Sequence, residues 1–265
     1  SHAGTSISVA LGRALSLRNK EKKEWSIAII GDGALAEGIA LEALNHASVE
    51  KNVNLMIVLN DNGYAISPGF GALHEYLQKR TIDTEKSDTL FTSLGYKVVG
   101  PVYGHSIDSL LQAFNEVKES KQVCIVHVKT EKGHGLAPAT DHPFKLHFSF
   151  PFDPTTGVAK NQSQVLNYQD IAAQAVEDCM ETNQDIIAIT PSTLYATGLL
   201  NVFNRFPDRC FDPGMEEQHA VSMAVGMALS GSHPILYYQS TFLQRAYDQL
   251  IHDVCFSNQN MLILA

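Results

Sequence analysis

Short, continuous apolar runs alternate along the chain with stretches of helical character. SIAII at 26–30 reads as a short buried strand, followed by a helix over about 34–50. VNLMIVL (53–59), YKVVGPV (96–102) and QVCIVHVKT (122–130) read as further strands, with a helix near 106–119 between the last two. Uninterrupted apolar strands separated by helices predict a parallel sheet covered on both faces. From 131 to 166 the periodicity stops, and prolines, glycines and aromatics mark a long connecting loop. Alternation then resumes. A helix near 167–181 leads to DIIAIT (185–190), and a helix near 216–230 to PILYYQ (234–239). A helix near 241–256 leads to MLILA (261–265). The pattern predicts an α/β chain of two tandem, doubly wound, mainly parallel-sheet units, the second incomplete. The expected boundaries are a first domain over 1–150, a linker over 151–166 and a partial second domain over 167–265.

A length of 265 residues suits one or two domains, and 45% hydrophobic with 18% charged residues is a core-forming composition. A net charge of −9 argues against a nucleic-acid partner, which selects for a basic face. No run of 18 apolar residues is present, so no membrane span is expected, and no leader is visible at the start. Four cysteines lie far apart without a CxxC pair, which fits buried thiols in a reducing cytoplasm. The chain opens without methionine and closes on an apolar, strand-like run. Both features suggest a piece of a longer protein, or one that pairs with another chain.

Candidate chemistry centres on IIGDGALAEG (29–38). An apolar strand runs into Gly31-Asp32-Gly33 and then a helix, a place where small residues and a helix start suit a phosphate. The pattern is neither G-x-G-x-x-G nor a P-loop. Asp32 would repel a phosphate directly and makes sense with a divalent cation between them, since magnesium takes oxygens from one or two protein groups and from phosphate. A second donor is expected from a neighbouring strand end. LNDNGY (59–64) supplies Asn62, thirty positions after Asp32, on the carboxyl edge of the same sheet. Each motif alone is most often an ordinary turn; the pairing carries the signal.

GDG followed about thirty residues later by N-D-N resembles the thiamin diphosphate motif of the transketolase-like enzymes. The resemblance implies a metal, Mg²⁺, held by Asp32, Asn62 and the carbonyl of Tyr64. It also implies cofactor contacts at Gly31, Gly33, Ala34 and Ile66. Longer stretches are similar to the 1-deoxy-D-xylulose-5-phosphate synthase family over almost the whole chain: SHAGTSISVALGRA (1–14), GLAPATDHPFKLH (135–147), NRFPDRCFD (204–212), EEQHAV (216–221) and STFLQRAYDQLIHDV (240–254). The implied order is a diphosphate-binding unit followed by a pyrimidine-binding one. Glu217 matches the glutamate that bonds N1′ of the thiamin pyrimidine, a role that partial burial favours. Glu216, an acid where the family has a small residue, suits the helix-start role instead. Phe242 matches the aromatic stacked on the pyrimidine, and Arg245 a polar contact beside it. His2 and His147 match active-site histidines, and Lys132 a lysine near the diphosphate. Packing, surface pairing and solvated loop positions compete for these residues.

The implied reaction decarboxylates pyruvate and joins the remaining fragment to D-glyceraldehyde 3-phosphate. It yields 1-deoxy-D-xylulose 5-phosphate, a precursor of isoprenoids, thiamin and pyridoxal. A cytoplasmic homodimer is expected. Departures weigh against part of this. The 78–95 bridge is short, Gln239 stands where a tyrosine linked to acceptor phosphate is expected, and Tyr103 replaces a usual aspartate. The chain stops inside the second unit, so little or no turnover is expected from these residues alone. A transketolase-like enzyme with another acceptor, or a noncatalytic thiamin diphosphate-binding module, stays open at this point.

Overall fold

The computed structural model describes residues 3–82, 90–120, 122–142, 144, 146–160 and 167–265. They fall into two compact units, Ala3–Leu146 and His147–Ala265. In the first, α1 (Ser6–Asn19) leads to β1 (Ser26–Gly31), α2 (Asp32–Leu35), α3 (Gly38–Ala47), β2 (Leu55–Asp61) and α4 (Gly71–Lys79). The short α5 (Leu90–Ser93), β3 (Lys97–Tyr103), α6 (Ile107–Lys118), β4 (Cys124–Lys129) and α7 (Ala137–Asp141) complete it. The four strands pair in parallel in the order β1-β2-β4-β3.

Two apolar layers sandwich this sheet, one from each side of the pleat. Leu55, Ile57 and Leu59 of β2 join Ile7, Leu11 and Leu44 of α1 and α3. Met56 and Val58, pointing the other way, join Val126 of β4 and Ala113 and Val117 of α6. That two-sided burial is why β2 reads as an unbroken apolar run. β1 departs from the buried strand expected of SIAII. It is the sheet edge, and Ile27 and Ile29 are exposed while Ala28 and Ile30 face α1 and α3. The helix α1 has no counterpart in the periodicity reading, and the helix expected over 34–50 is divided, because Glu37 is extended (φ −64°, ψ 140°). The 131–166 stretch is irregular apart from α7 among its described residues.

The second unit holds α8 (Tyr168–Thr182), β5 (Ile186–Ile189), α9 (Leu200–Arg205), β6 (Cys210–Phe211), α10 (Glu217–Leu229), β7 (His233–Tyr237), α11 (Ser240–Leu243) and β8 (Leu262–Leu264). Its parallel sheet runs β6-β5-β7-β8. α8 starts with a reciprocal cap between Asn167 and Asp170, two otherwise unmet amides satisfied together. Val176 and Met180 of α8 cover one face of the sheet with Ala188 and Ile235. Ala220, Val221 and Ala224 of α10 cover the other with Ile189 and Leu236. The helix expected over 241–256 is a broken run: α11, a tight turn at Gln244–Ala246 and a wide-turn helix at Leu250–Phe256. Both sheets are thus parallel with helices on both faces, the α/β class expected.

Candidate active site

In the first unit, the carboxyl ends of β1 and β2 bring the two motifs together. β1 and β2 pair in register, with Gly31 opposite Asn60, so the turns that follow them start side by side. The amide of Gly63 donates to Asp32 Oδ2 at 2.8 Å, and the amide of Tyr64 donates to Asn62 Oδ1 at 3.0 Å. Gly63 has φ +78°, a conformation glycine adopts without a Cβ penalty. Gly31 is different. Its φ is −79°, and an added Cβ would meet nothing nearer than the Asn60 carbonyl at 4.0 Å. The chain itself leaves that side of Gly31 open.

Asp32 is buried. Burial and then the charge of Asp61 raise its carboxyl above the ordinary aspartate value, against hydrogen bonds from the amides of Gly63, Gly33 and Asp32 itself. α2 has only four residues, so its dipole offers little of the anion preference a long helix start would give. Lys132 supplies positive charge instead. Its ammonium donates to the carbonyl of Ala65 and lies 5.6 Å from the centroid of the Tyr64 ring. Burial lowers its proton affinity and Asp32 raises it again.

The oxygens gathered here fit a divalent metal and diphosphate. Among the described residues no cluster of three His, Cys, Asp or Glu side chains suits a metal. The donor set here is a different kind: one carboxylate, one amide oxygen and one main-chain carbonyl, all hard oxygens of the sort magnesium takes with phosphate and water. Ser67 Oγ, in the same turn, is buried without a hydrogen-bond partner among the described residues. The donor chemistry, the open side of Gly31 and the raised Asp32 all fit a cation-bridged anion. Ile66 is half-buried in this turn, and Ala34 packs against the core cluster under the sheet.

In the second unit, Glu217 is the first residue of α10 and is buried. Arg245 Nε lies 3.7 Å from Glu217 Oε2, both side chains being 8% exposed. The hydroxyl of the buried Tyr238 donates to the Glu217 carbonyl at 2.9 Å. Burial, and then Glu217, push that phenol well above its ordinary value. Phe242, on α11 one turn before Arg245, is half-buried. Glu216 precedes the helix, and burial raises its carboxyl. Glu217, Arg245 and the Phe242 segment thus gather in one unit. His147 is exposed on the segment that opens the same unit. His2 lies outside the described residues.

The motif reading missed two supporting carboxylates. Asp61, fully buried, binds His127 and Lys129 behind the Asn62 turn. Asp212 accepts from the amides of Ser192 (2.7 Å) and Gly214 (3.0 Å) beside the start of α10. Both stood inside quoted motifs; for Asp61 the available signal was an acidic residue at the end of a predicted strand, while no strand was predicted before Asp212.

The chain is similar to known proteins over most of its length. The family described as 1-deoxy-D-xylulose-5-phosphate synthase matches residues 1–87 and 79–130. The transketolase pyrimidine binding domain matches residues 164–265. The 1-deoxy-D-xylulose-5-phosphate synthase of Thioalkalivibrio sulfidiphilus is 38% identical over 296 residues, covering 99% of this chain and 46% of that protein. The one from Nitrosomonas europaea is 39% identical over 290 residues, covering 97% and 47%. A crystal structure of transketolase from Campylobacter jejuni superposes with a TM-score of 0.42 at 14% identity, over 98% of this chain and 51% of that one. The chain belongs to the transketolase-type enzymes and, among them, to the 1-deoxy-D-xylulose-5-phosphate synthase family. It spans about half the length of the curated relatives it matches. Among the described residues no helix is long and apolar enough to cross a membrane.

Proposed function

We propose that this chain carries the diphosphate-binding and pyrimidine-binding parts of a synthase that uses thiamin diphosphate and Mg²⁺. The synthase condenses pyruvate, with decarboxylation, and D-glyceraldehyde 3-phosphate to 1-deoxy-D-xylulose 5-phosphate. It works as a cytoplasmic homodimer. The observation that carries the reading is the 2.8 Å bond from Gly63 to a buried, proton-loving Asp32, which joins the two halves of the cation motif.

When bound, thiamin diphosphate supplies the electron sink for the loss of carbon dioxide from a 2-oxo acid. The chain's residues do the rest. Asp32, Asn62 and the Tyr64 carbonyl hold the cation, and Lys132 balances diphosphate charge. Glu217, buried at a helix start, holds a proton at the pyrimidine ring nitrogen, and Arg245 fixes the direction of its carboxyl. Phe242 offers an aromatic face to the ring.

One observation favours a second reading, a different acceptor. Gln239, where a tyrosine is expected, lies in a cleft of about 520 Å³ at the carboxyl edge of the second sheet with Thr197, Ser240 and Thr241. Its amide and hydroxyl groups suit a hydroxylated aldehyde.

Calorimetry of the chain with thiamin diphosphate, with and without Mg²⁺, tests the main reading. Metal-dependent binding is expected in the parent and lost in Asp32→Ala. Glu217→Ala is expected to bind the cofactor yet exchange its C2 proton at least ~100-fold more slowly, the usual scale of acid–base assistance. A parent without metal-dependent binding sinks the cofactor assignment. Product analysis with pyruvate and a panel of aldehydes separates the two acceptors.

A further inference from the structure

Asp61 stands between two asparagines at the end of β2, and its side chain is wholly buried. Its Oδ2 accepts from His127 Nε2 and from Lys129 Nζ, each at 2.7 Å. Its Oδ1 accepts from Gln78 Nε2 at 3.1 Å. Its carbonyl accepts from the Thr130 amide at 2.9 Å. Lys129 Nζ also donates to the carbonyl of Leu77 at 3.1 Å. Leu77 and Gln78 belong to α4, the helix into which the 62–70 loop runs. One carboxylate therefore ties both ends of that loop, the first through its own peptide bond to Asn62 and the second through α4.

Between those ends the loop is closed on itself. The Gly69 amide donates to the Gly63 carbonyl at 2.8 Å, and the Ala65 amide to the Ser67 carbonyl at 3.0 Å. Gln78 also packs on the turn directly, since a Cβ on Gly63 would stand 3.3 Å from its Nε2. Folding alone gives little reason for this arrangement. A buried ion cluster loses several kcal/mol of hydration per ion, and apolar residues of similar volume are often as stable. What the cluster adds is direction: three donors fix one carboxylate, and the residue next to it is a proposed cation ligand.

We propose that Asp61 is a positioning residue: through His127, Lys129 and Gln78 it holds both ends of the 62–70 loop and so sets where Asn62 Oδ1 and the Tyr64 carbonyl stand relative to Asp32. The cation part of this inference rests on the proposed function; the loop-holding part stands without it.

Hydrogen–deuterium exchange of the full chain without ligand tests the holding. The parent is compared with Asp61→Asn, with Gln78→Met, which leaves the His127 and Lys129 bonds intact, and with Tyr96→Phe, a destabilising change elsewhere in the same unit. At least tenfold faster exchange over 62–70, well above any rise in β1, is expected in the first two variants and not in the third. In parallel, binding of Mn²⁺ with thiamin diphosphate is followed by the electron paramagnetic resonance of the metal. Asp61→Asn is expected to weaken it ~10–100-fold, the usual cost of losing an outer-sphere partner. Unchanged exchange over 62–70 in both loop variants, or an equal rise in β1, overturns the proposal. If Asp61→Asn does not fold, Gln78→Met decides alone. If the parent binds no Mn²⁺ with thiamin diphosphate, the proposed function fails, and the exchange result still decides whether Asp61 holds the loop.

Discussion

Replacing Asp32 by asparagine separates stability from cation binding. The amide oxygen of the new side chain can still accept the 2.8 Å bond from Gly63, but without a charge. Charge-assisted bonds are roughly twice as strong as neutral ones, so the loss is about 1 kcal/mol. Against this, the substitution removes a buried anion that faces the charge of Asp61. The two effects oppose each other, and the expected net change at pH 7 without metal is within about 1 kcal/mol, or roughly 2–4 °C in melting temperature. The pH dependence has a definite sign. A carboxyl raised by folding contributes stability that is complete below the unfolded aspartate value of 3.8 and lost as pH rises through its folded value. Relative to the parent, Asp32→Asn therefore gains stability from pH 4 towards 7. Ligand binding behaves oppositely. With Mg²⁺ and thiamin diphosphate at 100 times the apparent dissociation constant, the parent gains about 2.7 kcal/mol. Losing the one carboxylate donor is expected to cost about 100-fold in affinity, leaving about 0.4 kcal/mol of ligand stabilisation at the same concentration. Thermal melts in EDTA and in Mg²⁺ with cofactor, at pH 5 and 7, measure all four states. A full ligand-induced shift in Asp32→Asn would refute the assignment of Asp32 to the cation.

Tyr96→Phe removes a 2.6 Å bond to the Leu44 carbonyl, which keeps the Ser48 amide as its other donor. A loss of about 0.5–1.5 kcal/mol in denaturant unfolding is expected, with cofactor affinity unchanged. Leu236→Ala, at a fully buried position in β7, should cost about 2–5 kcal/mol by the same measurement. Thiol chemistry offers a pH test. Burial pushes the Cys210 thiol up to about 11 and raises Cys124 as well, while Cys179 and Cys255 are exposed. At pH 8 native protein should alkylate promptly at Cys179 and Cys255 only, and at all four after denaturation; prompt labelling of Cys210 in the native state contradicts its burial.

The strands were legible because parallel strands buried on both faces have no choice but to be continuously apolar. VNLMIVL and QVCIVHVKT became β2 and β4 for that reason. β1 looked the same in sequence, yet Ile27 and Ile29 are exposed. Periodicity cannot say which strand ends up at a sheet edge, since that is a matter of strand order. α1 carries its apolar residues without a strong periodic signal, and what makes it a helix against the sheet is packing on β1 and α3.

The same division holds for the site. Spacing alone paired Asp32 with Asn62, because a strand-to-helix turn and the next strand end of a parallel sheet must lie side by side at the carboxyl edge. Glu217 came from the resemblance alone, through its place before Gln-His. Which carboxylate is compensated is a different matter. Asp32 and Asp61 are the same residue type at neighbouring strand ends. Tertiary structure gives Asp61 His127 and Lys129, sixty-six and sixty-eight positions away, and leaves Asp32 with amides and a raised proton affinity. The residues of the motif were written in the chain. Which of them is compensated was decided by burial and by partners that only folding brings within 3 Å.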